Sequence, residues 1–301
     1  LEPTVDAKKV ESKQKKHSDE EELSAEDQNL KEQLEMLVER LTADQIDLYS
    51  PSLTQLKKFI RESTSSMTAV PKPLKFLRPF YPSLTQLKAS WTDSKLLEQL
   101  YDVLSVLGMT YSQEDGEEYV RESLKYRLLS NVDDSIADWG YEYLRHLSLE
   151  IGEEIDERLE SNKPKDYLLE LSRIIVPYFL KDNAEAEAVD LLLELEEIEM
   201  LASYVDKSTY KRVCLYMISC STLLAPPDDL SFLNTAYVIY LQNHKLPEAL
   251  SLAIRLDNES LIESVFDSTN DELVQKQLGF ILARHNSCFK LENEEVQIPC
   301  G

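Results

Sequence analysis

The sequence predicts an all-α protein in which stacked antiparallel helical hairpins form a solenoid-like arm behind a disordered amino-terminal tail. Three observations carry this expectation. Apolar residues recur at helical spacing along most of the chain. Only 6 of the 301 residues are Gly, and the Asn-Gly pairs that close tight β-hairpins are absent. Past Pro226-Pro227 the apolar segments shorten and follow one another closely. Short connections fold consecutive helices back on one another, and pairs of that kind stack into a solenoid.

Taken in order, residues 1–23 read as a disordered charged tail. Lys8 to Lys16 is Lys-rich, Asp19 to Glu22 is acidic, and apolar residues are too sparse to offset the entropy of ordering. The Lys8–Lys16 stretch has the composition of a nuclear-import signal. A helical domain is expected over 24–220. Ser24 and Asp27 are spaced as a capping box, ahead of Leu30, Leu34, Leu37, Val38 and Leu41 on one helix face. Pro51 suits the start of a second helix that buries Leu53, Leu56 and Ile60.

A proline-rich connector is expected at 70–82. Pro71, Pro73, Pro79 and Pro82 argue against an uninterrupted helix there and make 70–79 the most distinctive non-helical feature. The heptapeptide Pro-Ser-Leu-Thr-Gln-Leu-Lys occurs at 51–57 and again at 82–88. It fits either a helical-hairpin repeat or two unrelated helix starts of good composition. Leu96, Leu100, Val103, Leu104 and Leu107 form the next stripe, and a loop is expected over 112–118. Trp139 to Ile155 is amphipathic through Leu144, Leu147, Ile151 and Ile155. Leu168, Leu171, Ile175 and Phe179 form another face, which Pro177 should kink or break. Leu191, Leu195, Ile198 and Val205 follow. Helical-hairpin repeats are expected over 221–301, with helices at 232–242, 247–256, 260–266 and 272–284. The ending at 296–301 has no helical pattern, as though the chain stops partway through a longer protein.

The balance of 32 Lys plus Arg against 56 Asp plus Glu gives a formal net charge of -24. That field repels phosphate backbones and anionic headgroups, so neither nucleic acid nor membrane is an expected partner. Solubility alone would also explain it. No apolar run approaches the ~20 residues that span a bilayer. Cys214, Cys220, Cys288 and Cys300 show no dense spacing, as expected for a reducing compartment, cytoplasm or nucleus.

Glycine spacing excludes several chemistries. The closest pair, Gly108 and Gly116, is too far apart for a Walker A loop, a dinucleotide fingerprint or a nucleophile elbow. None of His17, His146, His244 and His285 is followed by the Glu of a zincin motif. Cys214 and Cys220 point about 120° apart on a helix and are expected to be buried and inert. Glu142, His146 and Glu150 share one helix face, a possible metal constellation, although a solvated face with an ion pair or hydrogen bond is the plainer expectation. Glu194, Glu196, Glu197 and Glu199 read as a uniformly exposed surface, not as paired catalytic acids. No catalytic, cofactor-binding or metal residue is assigned, and no cofactor is expected. The expected partner-contact residues lie in the basic, partly aromatic connector: Lys72, Lys75, Phe76 and Arg78. A stiff elbow with Phe76 and Leu77 tucked inward is the competing expectation for that segment.

Residues 63–79, Ser-Thr-Ser-Ser-Met-Thr-Ala-Val-Pro-Lys-Pro-Leu-Lys-Phe-Leu-Arg-Pro, resemble the signature segment of a known family. So do Leu124-Lys125-Tyr126-Arg127-Leu128, the 139–147 segment Trp-Gly-Tyr-Glu-Tyr-Leu-Arg-His-Leu, Ile175-Val176-Pro177-Tyr178-Phe179-Leu180 and Val274-Gln275-Lys276-Gln277-Leu278. Between about Glu26 and His285 the chain is similar to the amino-terminal part of the larger non-ATPase base subunits of the 26S proteasome regulatory particle. The resemblance implies a non-catalytic regulatory scaffold in cytoplasm and nucleus, supporting recruitment of ubiquitinated substrates for ATP-dependent degradation. It implies partners among proteasome base subunits, including the ATPase ring. Ubiquitin-like shuttle proteins and a deubiquitinase would bind regions beyond this chain, on a toroid toward which 221–301 leads. No ubiquitin-binding residue carries over. A helical-repeat adaptor of another intracellular assembly is the alternative.

Overall fold

A computed structural model of the chain describes residues 24–64, 71–111, 120–130, 133–161 and 163–285. The tail at 1–23, the loop at 112–118, the ending at 296–301, and Cys288 and Cys300 lie outside the described residues. The described residues form helices and turns without a strand. The helices are α1 (Ala25–Thr42), α2 (Tyr49–Thr64), α3 (Lys72–Leu77), α4 (Tyr81–Leu87) and α5 (Ser94–Gly108). Next come α6 (Glu122–Arg127), α7 (Tyr141–Ser161), α8 (Asp166–Lys181), α9 (Glu185–Glu194) and α10 (Leu201–Tyr204). The series ends with α11 (Tyr210–Cys220), α12 (Asp228–Gln242), α13 (Leu246–Arg255), α14 (Glu259–Asp267) and α15 (Glu272–Arg284).

The periodic stripes become the core. Leu34, Leu53, Leu56, Ile60, Leu100, Leu104, Leu144, Leu147, Ile151, Leu168, Leu171 and Ile175 are all buried. Stacking follows chain order. α1, α2 and α3 pack together, α5 lies on α2 and α4, and α6 joins α5 to α7. Beyond that, α7, α8 and α9 contact one another, α9 meets α11, α11 meets α12, and α13 packs on α12, α14 and α15. Contacts that skip one helix, such as α7 with α9 and α13 with α15, are what a stack of hairpins requires.

Four hairpin turns share one geometry. Asn183, Glu196, His244 and Asp257 each adopt positive φ (50–61°) two residues past a helix end. After each, an amide reaches back six residues inclusive to close the helix: Ala184 to Phe179 at 2.8 Å, Glu197 to Leu192 at 2.9 Å, Lys245 to Tyr240 at 2.9 Å and Asn258 to Ala253 at 3.3 Å. This is the Schellman closure, which usually takes Gly at the left-handed position. Here four residues with side chains occupy it, so Gly scarcity does not prevent tight reversals.

Two expectations need correction. The connector is helical: α3, a 3-10 turn over Arg78–Phe80 and α4 follow one another without a break. Pro73, Pro79 and Pro82 each stand within the first two positions of one of these elements. At such positions the missing N–H costs little, because first-turn amides lack intrahelical acceptors anyway. The prolines therefore mark the starts of successive helical elements and leave no gap between Lys72 and Leu87. Pro177 likewise does not break its helix: it sits inside α8, which continues to Lys181. Its ring and the carbonyl-bearing residue it deprives, Arg173, are both exposed, so water can satisfy the freed group, while Val176, Phe179 and Leu180 stay buried on the other face.

The two heptapeptide copies form the opening turns of α2 and α4, each burying its first Leu, Leu53 and Leu84.

Candidate functional site

The four residues singled out in the basic segment do not form one free surface. α3 presents Lys72 and Lys75 to solvent, Phe76 is half-buried against the core, Leu77 is buried, and Arg78 is exposed at the following 3-10 turn. Lys72 is already engaged: its Nζ lies 2.8 Å from both carboxylate oxygens of Asp27 at the start of α1. That ammonium holds the Asp27 carboxyl below its usual range. Ser24 caps α1 as the sequence predicts, accepting the Asp27 amide at 3.2 Å. The Asp27 carboxylate faces the α3 lysine, so the pair ties α3 across α1.

On the Glu142, His146 and Glu150 face, Glu150 is committed to contacts within the protein. Glu150 is only 3% exposed, where a solvated face was expected. One of its oxygens accepts the Leu124 amide at 2.6 Å and the other contacts His146 Nε2 at 3.0 Å. Leu124 is the third residue of α6, whose own flanking residue, Arg121, provides no side-chain cap. Glu150 thus caps α6 from α7, satisfying an amide that α6 itself leaves open. Among the described residues no group of three potential ligands is placed to hold a metal ion. Glu150→Ala is expected to lower the unfolding free energy by about 1–3 kcal/mol, the cost of leaving a buried donor unpaired. Equilibrium urea unfolding measures it, and a loss well below that range would show the cap to be dispensable.

The acidic surface at 194–199 is not uniform. Glu197 pairs with Lys165 at 3.1 Å, and the Glu194 carboxylate occupies the space that a side chain at Gly152 would fill. Burial there, with Asp156, Asp190 and Glu153 nearby, pushes the Glu194 carboxyl up, although the residue as a whole is exposed. Cys214 is buried, its thiol pushed up to about 12 by burial, whereas Cys220 is only half-buried, short of the expected burial.

The densest polar cluster was not singled out by sequence. Asp102 of α5 is 8% exposed and receives Lys57 Nζ at 2.6 Å, Arg127 Nη1 at 2.7 Å and Trp139 Nε1 at 3.0 Å. Arg127, 1% exposed, also donates through Nε to Tyr143 Oη at 2.8 Å. Tyr143 Oη lies 2.6 Å from Ser105 Oγ, which donates to the Ser123 carbonyl at 2.6 Å. Burial pushes the Asp102 carboxyl up, but Arg127 and Lys57 outweigh it and leave it below its ordinary range. The cluster joins α2, α5, α6, α7 and the 3-10 turn Asp134–Trp139. Lys57, Asp102 and Arg127 are ion-paired within the cluster, while Arg127 Nη2 is buried without a hydrogen-bond partner, and the arrangement bolts the layers together. A lone acid inside Leu100-Tyr101-Asp102-Val103-Leu104 was the available signal.

Residues 34–298 match the family described as the RPN1 N-terminal domain. The chain belongs to that family. It is 54% identical over 299 residues to the 26S proteasome regulatory subunit RPN1 of Candida glabrata, with 93% of this chain and 30% of the relative covered. Identity is 50% over 281 residues to the Neurospora crassa 26S proteasome regulatory subunit rpn-1, covering 93% of this chain and 31% of the relative. It is 44% over 271 residues to the Arabidopsis thaliana 26S proteasome non-ATPase regulatory subunit 2 homolog A, covering 90% and 30%. The chain therefore spans under a third of these curated relatives' length. Two of the segments that carry the family resemblance, 124–128 and 139–147, supply Arg127, Trp139 and Tyr143 to the polar bolt. No helix among the described residues is long and apolar enough to cross a membrane.

Proposed function

We propose that this chain is the helical amino-terminal arm of a non-catalytic regulatory scaffold subunit in the base of the 26S proteasome regulatory particle. In this reading the subunit works in cytoplasm and nucleus and assembles with base subunits that include the ATPase ring. It supports recruitment of ubiquitinated substrates and ubiquitin-like shuttle factors, which, like a deubiquitinase, engage regions beyond this chain. The single observation that carries the reading is the 54% identity, over nearly the whole chain, to a subunit bearing the name of that assembly.

The last described helix supports the role of an arm. Leu273 and Phe280 of α15 are 76% and 78% exposed and, with Gln277 and Ile281, lie on one open face of that helix. Residues 24–220 then form the arm's helical domain, and the repeats of 221–301 lead on to a toroid that stacks against this face. Lys72, Lys75, Phe76 and Arg78 form a candidate contact for an acidic partner, with Lys75 the outward charge of α3. Affinity purification of the tagged full-length protein tests the proposal. Co-purification of proteasome ATPase subunits is expected, and their absence from a well-folded preparation would overturn it.

A further inference from the structure

A groove lies where the end of α1, the start of α2, the end of α4 and the turn before α5 meet. Its volume is about 260 Å³, below the roughly 300–1,000 Å³ of small-molecule sites. That space suits one or two side chains of a peptide. The floor is rigid and apolar. Tyr49 and Trp91 stack with ring centroids 4.5 Å apart and planes within 10°, and Tyr49 Oη donates to the Ala43 carbonyl at 2.7 Å. Leu87 is half-buried at one wall, and Ile46 stands 68% exposed at the mouth.

The charge at the mouth has one sign. Among the lining residues the ionisable carboxylates are Asp44 and Asp93, both exposed, and no Lys, Arg or His lines the groove. The carboxy-terminal end of α1, an 18-residue helix, also opens here and adds partial negative charge. The positive end of α5 is already answered by Asp93, which accepts the Lys95 amide at 2.9 Å. An apolar slot under a negative rim excludes acidic and phosphorylated ligands and matches an apolar side chain flanked by cations.

We propose that this groove docks a short apolar–basic segment of a partner protein. An aliphatic or aromatic side chain of that segment packs on Ile46, Leu87 and Trp91, and adjacent Lys or Arg side chains pair with Asp44 and Asp93. The partner is a protein of opposite charge to this chain, whose formal net charge is -24.

The test is a nuclear magnetic resonance titration of the chain with two synthetic peptides. Each has a central leucine–phenylalanine pair, flanked in one by lysine and arginine and in the other by glutamates. The basic peptide is expected to shift the Trp91 indole N–H and the Ile46 methyl resonances saturably, and the acidic peptide to leave them unmoved. Asp44→Lys combined with Asp93→Asn, which keeps a capping side chain on α5, is expected to weaken the basic peptide about tenfold, as the loss of two rim ion pairs implies. An unchanged unfolding midpoint shows that the variant remains folded. No shift at Trp91 and Ile46, equal binding of both peptides, or full binding by the folded double variant would each overturn the proposal.

Discussion

Asp102→Ala is expected to lower the free energy of unfolding by about 3–5 kcal/mol, the usual cost of removing one partner of a buried ion pair. The cost arises from what remains. Arg127, with its guanidinium almost wholly shielded, keeps Tyr143 and Ser130 as hydrogen-bond partners but loses its counter-charge, and the Trp139 N–H loses its acceptor. Lys57, about a fifth exposed, can turn to water and contributes less. Arg127→Met is therefore expected to cost less than Asp102→Ala, since Asp102 would retain Lys57 and Trp139. Urea titrations at neutral pH measure both, and a loss under 1 kcal/mol for Asp102→Ala would contradict the bolt.

The pH dependence has a fixed sign. The folded Asp102 carboxyl titrates below its ordinary value of 3.8. Its contribution is fully present above that value and is lost as pH falls through the lower folded one. The gap between wild type and Asp102→Ala is expected to hold from pH 7 to about 5 and to shrink below about pH 4.

Phe179→Ala is the second large effect, expected at about 3–5 kcal/mol for truncation of a fully buried ring. Phe179 is 0% exposed and meets Tyr141 edge-on at 5.9 Å between centroids. It also anchors the last turn of α8 beyond Pro177, where one backbone bond is already missing. The Asp182 and Ala184 amides, bonded to the Tyr178 and Phe179 carbonyls at 3.0 and 2.8 Å, are expected to lose hydrogen-exchange protection first. Protection retained there, together with a loss below 2 kcal/mol, would show that local propensity and not the ring holds this turn.

The helices themselves were legible because burial on one face imposes a period on the sequence. The four segments expected after Pro226-Pro227 become α12 to α15 with small changes at their ends. Ser24 caps α1 because a short hydroxyl side chain can reach the third amide locally. Such features depend on neighbours three or four residues apart, and the chain displays them directly. The candidate site was less legible. Lys72 reads as a free cation, yet it pairs with an aspartate 45 residues away.

What only the tertiary structure decided shares one cause: a polar group's role depends on which distant group answers it. Glu150 resembles a solvated residue in its own helix and becomes a cap only because α6 lies across α7. Asp102 is tolerable in the core only where Arg127, Lys57 and Trp139 converge on it. Pro177 stays within α8 because packing left its side of the helix exposed to solvent. Apolar periodicity is written within one helix and fixed its inward face, whereas desolvation and pairing are settled between helices.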